Sequence, residues 1–296
     1  MDWMARERLQ EMAAEQAEAI LMRLSLGTTP IDPLEIARSE AKLLEPIGGD
    51  FRNRFDGQIE YHRKRNRFLL FFNTKYDAGV ELGGHHPRTR FSIAHELGHY
   101  FLEKHHAYLV KGGWTHPSRS EFFSQASVER EADAFAASLL MPSRLMRPLV
   151  NSGELSPSCL DQLSRQFKTS LVSTAIRSVS LSDFPCALVG MRDGQVVWGF
   201  FSESLKKRGC YPAESGSVPH ELASEVWREF AEGVAVKRKG EGRVRSWFRT
   251  YEDENLEEVP VAEYYLPVPA MNTVLVLLAA SEDDIFTEAE EESDED

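Results

Sequence analysis

The sequence predicts an α+β protein: a helix-rich N-terminal part with a small β-hairpin, a helix-turn-helix-like pair, and a strand-rich C-terminal domain. Three observations carry this. Apolar residues recur at helical spacing over much of the first 180 positions, two β-rich stretches flank the polar turn Arg63-Lys64-Arg65-Asn66, and after Phe184-Pro185 the pattern changes to strands. The 296 residues are 42% hydrophobic, enough for one large or two small cores.

Taken in order, Trp3 to Leu26 reads as an amphipathic helix through Leu9, Met12, Ala13, Ala19, Ile20, Met22 and Leu24, with Gly27 as its stop. Asp32, Pro33 and Glu35 form an N-cap, a first-turn proline and a capping-box acid, so a short second helix starts there. Gln58 to His62 and Phe68 to Asn73 pair as the hairpin. Arg88 to about His105 and Val128 to Leu140 are the strongest helical stretches, the second ending at Met141-Pro142. Residues 156–180 read as two short helices joined at Lys168-Thr169-Ser170. Strands follow at Cys186 to Val189 and Val196 to Phe201, then a helix from Pro219 to Phe230, then β-like runs at Arg243 to Tyr251, Val259 to Leu266 and Val274 to Ala279. The resulting division is 1–155, 156–182, 186–281, and an acidic tail, 282–296, read as disordered.

The net charge is −13, but ten acids fall in the last fifteen positions, so the body is close to neutral and not built to coat nucleic acid. Cys159, Cys186 and Cys210 match neither a zinc-knuckle spacing nor a disulfide framework and read as reduced thiols. The longest apolar run, Thr273 to Ala280, is short of a membrane span, and the N-terminus lacks the order of an export signal. The expectation is a cytoplasmic protein with no membrane partner.

His95-Glu96-Leu97-Gly98-His99 is an HExxH sequence within the apolar helical context of Phe91, Ile93, Ala94, Leu97, Phe101 and Leu102. A four-residue step puts both imidazoles on one helical face, suited to a single zinc ion, with Mn2+ as a substitute. Glu96 is placed to take a proton from metal-bound water rather than to ligate. A catalytic zinc needs a third protein ligand. His105 has the spacing of the HExxHxxGxxH class, but Leu102 stands where that class turns on glycine. Glu103 lies too far along the helix axis. Glu129 is the better candidate, and Asp133, one turn later, is placed to hold the non-ligating nitrogen of a zinc-bound histidine. Glu131 points away from Glu129 and reads as solvated or salt-bridged. For an oxyanion donor, His116, Tyr100, Arg177 and the pair His85-His86 stay open.

The run Arg90 to His99, then Glu129-Arg130-Glu131-Ala132-Asp133 on to Met141-Pro142, and later Leu163 to Ser170 and Arg177, resembles the ImmA/IrrE family of zinc metallo-endopeptidases over about residues 10–180. The resemblance implies a zincin-like (gluzincin) core with His95, His99 and Glu129 as ligands and Glu96 as general base. It also implies a regulatory role, in which a helix-turn-helix repressor is cut at one site in a stress-response or mobile-element pathway. Radiation-response members add a C-terminal sensor-like domain of GAF type. Residues 186–280 occupy that place, but the stretch is short for such a domain and carries no motif of it.

Two other readings compete. In one, the pair 157–180, with Asp161, Arg165, Lys168 and Arg177, is a DNA-reading helix-turn-helix of a regulator whose metal site is vestigial, and Arg63, Lys64, Arg65 and Arg67 form a second basic cluster for weak phosphate contact. A module that binds a repressor without cutting it is the other, though such a module has no use for Glu96. The sequence sets neither the substrate nor the oligomeric state.

Overall fold

The computed structural model describes residues 3–81, 84–112, 127–213, 215–250 and 254–286. It is an α+β structure in two compact units, residues 1–145 with 163–173 and residues 146–162 with 174–296.

In the first unit, α1 (Trp3–Arg23) buries Ala13, Ala17, Ile20 and Leu21 and packs along α5 (Ser127–Leu140), whose inward face is Ala132, Phe135, Ala136, Leu139 and Leu140. Each large aliphatic or aromatic side chain buried here contributes about 1.5–3 kcal/mol. The short helix α2 (Pro33–Ser39) starts as its sequence predicts: the Asp32 carboxylate accepts from the Leu34 N–H at 3.0 Å, and Pro33 supplies a preset φ.

A three-stranded sheet follows, in order β1-β3-β2, from β1 (Leu44–Gly49), β2 (Gly57–His62) and β3 (Arg67–Asn73). β2 and β3 form the expected antiparallel hairpin, closed by a 3-10 turn at Arg63–Arg65 and by Asn66 in the left-handed region, φ 52°. β1 pairs parallel to β3. Pro46, Gly48 and Gly49 disguise it as a loop, yet an end strand tolerates proline, and Gly48 leaves space that the Phe72 ring fills: a Cβ there would stand 2.6 Å from the ring. β3 is therefore the central strand with both edges paired, and β2 ends the sheet.

The long helix expected from Arg88 to His105 is two helices, α3 (Pro87–Phe101) and α4 (Glu103–Val110), because Leu102 leaves the helical region at φ −68°, ψ 117°. That extended conformation suits any residue, so no glycine is needed for the break. The Gln16 amide donates to Phe101 O at 2.7 Å and satisfies a carbonyl at the freed end.

α6 (Ser143–Val150), α7 (Pro157–Phe167) and α8 (Leu171–Leu181) come next, with Lys168 at φ 52° turning α7 into α8 and the Ser170 hydroxyl accepting from the Ser173 N–H at 3.1 Å. The turn is held: buried Arg90 donates to Lys168 O and Ile31 O, and the Thr169 hydroxyl donates to Met141 Sδ.

In the second unit, a five-stranded antiparallel sheet has the order β5-β4-β10-β9-β7. Its strands are β4 (Cys186–Arg192), β5 (Gln195–Phe201), β7 (Arg238–Arg243), β9 (Pro260–Val268) and β10 (Thr273–Ala279). Between them lie α9 (Glu203–Lys207), the short pair β6 (Tyr211–Pro212) and β8 (Phe248–Arg249), α10 (Glu221–Ala231), α11 (Val244–Trp247) and α12 (Glu254–Glu257). Central β10 is an unbroken apolar run because both its faces are buried. β7 is polar and alternately exposed, as an edge strand should be, and pattern alone does not reveal it. The run Arg243 to Tyr251, expected as a strand, is instead a helical turn that buries Val244 and Trp247, followed by the two residues of β8. Val226 and Phe230 of α10 join the core of this unit with Trp247, Tyr265 and Val276.

Residues 282–286, expected within a disordered tail, form α13 (Glu282–Phe286). Ile285 is buried in the same core, and Arg208 donates to its carbonyl at 2.8 Å. The rest of the acidic tail lies outside the described residues. Among the described residues, no helix is long and apolar enough to cross a membrane, and the three cysteines are free.

Candidate metal centre

α3 owes its direction to its first turn. Pro87 starts it, and the Asp77 carboxylate accepts from the His86 N–H at 2.9 Å and from the Thr89 hydroxyl at 2.7 Å. Burial would raise the Asp77 carboxyl, but these bonds and His85, at 2.6 Å, outweigh it and hold the carboxyl below its ordinary 3.8. Nearby, buried Asp56 is bound by Arg88 through Nη2 at 2.7 Å and Nε at 3.1 Å, and by the Tyr76 hydroxyl at 2.9 Å. This ties the start of β2 to the start of α3.

The consequence appears at Gly57. A Cβ on that residue would stand 2.7 Å from Glu96 Oε1, so glycine is what lets β2 lie against the Glu96 carboxylate. Close approach repeats on the other side of α3, where a Cβ on Gly98 would meet Ala132 Cα at 3.2 Å. Two small residues let α3 and α5 come together, and Glu129 and Asp133 of α5 then face the histidines of α3.

His95 Nε2 lies 3.2 Å from His99 Nε2 and 3.2 Å from Glu129 Oε2, and His99 Nε2 lies 3.7 Å from Glu129 Oε1. Four ligands around a zinc ion at ordinary bond lengths are about 3.3 Å apart, so the three donors fit a tetrahedral ion with one position open. The donor chemistry agrees: two imidazole nitrogens and a carboxylate oxygen, largely buried, converge on one point.

Electrostatics point the same way. Burial would push the His95 imidazolium down, but the Asp133 and Glu129 carboxylates bonded to it, with Glu96 close by, overturn that and hold it up to about 10. Carboxylates packed this way favour a positive charge at His95.

Of the residues singled out from the sequence, His95, His99 and Glu129 are brought together, Glu96 lies buried beside them, and Asp133 Oδ1 stands 2.9 Å from His95 Nδ1. His105 is buried too, but it faces the back of His99, with Nδ1 to Nδ1 at 3.0 Å, and burial outweighs Glu131 in lowering its pKa. Glu131 is bonded to His105 at 3.3 Å. Glu103 is exposed. Among the oxyanion candidates, the Tyr100 hydroxyl donates to Glu40, His85 is bonded to Asp77, and His86 caps α3. Arg177 belongs to the second unit, and His116 lies outside the described residues. In the basic cluster, Arg65 and Arg67 pair with Glu45 and Arg63 donates to Lys111 O.

A solved structure of a Mycobacterium tuberculosis transcriptional regulator is similar to this chain at 13% identity and a TM-score of 0.53, covering 92% of this chain and 76% of that one. That likeness is one of fold. No curated protein matches the sequence. Residues 83–178, which include the HExxH helix, Glu129, α7 and most of α8, match the peptidase M78 family, IrrE N-terminal-like domain. Over this segment the chain is similar to the ImmA/IrrE family.

Proposed function

We propose that this protein is a zinc-dependent regulatory endopeptidase with a gluzincin-like core, cutting one peptide bond in a helix-turn-helix repressor within a stress-response, mobile-element or defence pathway. The observation that carries the reading is the convergence of His95, His99 and Glu129 with Glu96 one residue from the first of them. Zinc at these donors supplies Lewis acidity toward a peptide carbonyl and makes water a better nucleophile at neutral pH.

The chain's own residues do the rest. Glu96 Oε1, held against Gly57, takes the proton of the attacking water and returns it to the departing amine. β2 ends its sheet at Gly57, so a substrate laid along that strand by main-chain pairing brings its carbonyls to Glu96. Asp133 orients His95. Among the described residues no second metal-binding group accompanies this one, which leaves the second unit free for sensing or for holding the substrate. A cytoplasmic protease of this kind is expected to have low basal activity that rises with a signal.

The test is mass spectrometry of a candidate repressor after incubation with the protein. One chelator-sensitive cut, absent with Glu96→Gln, supports the reading. Broad casein digestion, or tight binding without any cut, sinks it. The second reading, a DNA-binding or repressor-binding regulator that does not cut, draws on the pair α7–α8 and on the fold shared with a protein titled a transcriptional regulator. An uncut repressor held tightly would promote it.

A further inference from the structure

His105 has no place among the three converging donors, yet it is buried and in contact with one of them. Its Nδ1 lies 3.0 Å from His99 Nδ1, and its Nε2 lies 3.3 Å from Glu131 Oε2. The Ser127 hydroxyl donates to the other Glu131 oxygen at 3.2 Å. His99 and His105 are each under a tenth exposed.

The hydrogen-bond logic has one solution once His99 Nε2 carries a metal. A neutral imidazole has one proton, so His99 must hold it on Nδ1. Two ring nitrogens 3.0 Å apart need one donor and one acceptor, so His105 Nδ1 offers a lone pair. The His105 proton then sits on Nε2, where the Glu131 carboxylate accepts it.

The backbone is arranged to permit this contact. In an unbroken helix, a residue six positions after His99 lies about 120° around the axis and about 9 Å along it. The extended conformation at Leu102 redirects the chain, and α4 returns His105 to the back of His99.

We infer that His105, backed by Glu131 and Ser127, is a positioning residue that fixes the tautomer and ring orientation of His99, so that its Nε2 lone pair faces the metal point. The two imidazoles of the centre are thus held by different devices: His95 by the Asp133 carboxylate directly, His99 by a neutral imidazole with its carboxylate one bond further back. The inference rests on the metal reading of the site but not on peptide hydrolysis.

The test measures zinc affinity in the full chain by chelator competition. His105→Phe removes the acceptor but none of the three donors, and should weaken zinc binding about 10–100-fold. Glu131→Gln keeps the shape, removes the charge, and should lower affinity in the same direction by less. His105→Asn, whose Oδ1 can accept from His99, should recover part of the loss. Wild-type affinity in both His105→Phe and Glu131→Gln would overturn the inference and leave the metal reading intact, whereas a wild-type protein that binds no zinc would overturn both. If His105→Phe does not fold, long-range proton–nitrogen NMR of zinc-loaded wild type decides: His105 as the Nε2–H tautomer supports the relay, and the Nδ1–H tautomer refutes it.

Discussion

Each unit of this protein buries carboxylate and histidine together, but the two clusters are built on different plans. In the second unit, buried Glu263 accepts from His220 Nε2 at 2.7 Å, Trp247 Nε1 at 2.6 Å and the Tyr265 hydroxyl at 2.6 Å. Gly240 and Gly242 of β7 make room for it, since a Cβ on Gly242 would overlap Glu263 Oε1. Every contact there joins a donor to an acceptor, so the cluster is complete in itself. In the first unit, His95 Nε2 and His99 Nε2 face each other at 3.2 Å with Glu129 oxygens beside them, and all three groups can offer a lone pair to one point. The difference is between a carboxylate saturated by donors and a group of donor atoms that could hold a metal ion.

Removing the acid from each cluster should have different consequences. Glu129→Ala deletes a ligand and should weaken zinc binding on the order of a thousandfold or more, as chelator competition will read. Glu263→Ala leaves Trp247 Nε1 and the Tyr265 hydroxyl buried without their acceptor and should cost about 3–5 kcal/mol in a denaturant titration, with zinc affinity unchanged. Exchange of these two phenotypes would break the distinction.

A smaller effect is expected at the end of the second core. Truncation after Phe286 should alter stability by about 0.5 kcal/mol or less, because only like-charged polar chain is lost. Truncation after Ser281 removes buried Ile285 and should cost about 2–4 kcal/mol. Equal melting of the two truncations would contradict the burial of Ile285.

The clusters should also answer pH with opposite signs. In metal-free protein the raised His95 contributes stability that is full below its ordinary 6.5 and disappears as pH rises through about 10. Glu263 is the reverse: burial raises its carboxyl, but bonds from His220, Tyr265 and Trp247 outweigh that and hold it below its ordinary 4.5. Its contribution is full above 4.5 and is lost as pH falls through the lowered value. Melting of chelated protein from pH 3 to 10.5 tests both signs, with Glu263→Gln removing the acid-side loss only.

What could be read from the sequence were the features that depend on short spacing. The Asp32-Pro33 helix start, the hairpin around Arg63–Asn66, the four-residue step between His95 and His99 and the one-turn step from Glu129 to Asp133 all place side chains through local geometry. Features that depend on partners distant in the chain escaped. β1 and β7 lack alternating apolar residues because each sits at the end of its sheet. Leu102 breaks its helix through a conformation no residue type announces, so the return of His105 to His99 was hidden. The signals were there in retrospect: His105, the first histidine after the motif, with Glu131 on the following helix, and two glycines two apart in polar β7, one strand over from Glu263.

The central claim, that the first cluster is a metal centre and the second is not, is tested most directly by counting zinc per chain in native mass spectra of wild type, Glu129→Ala and Glu263→Gln after equilibration with the ion. One zinc in wild type and in Glu263→Gln, and none in Glu129→Ala, is the predicted result. A zinc-free wild type, or a zinc that survives Glu129→Ala and leaves with Glu263→Gln, would contradict it.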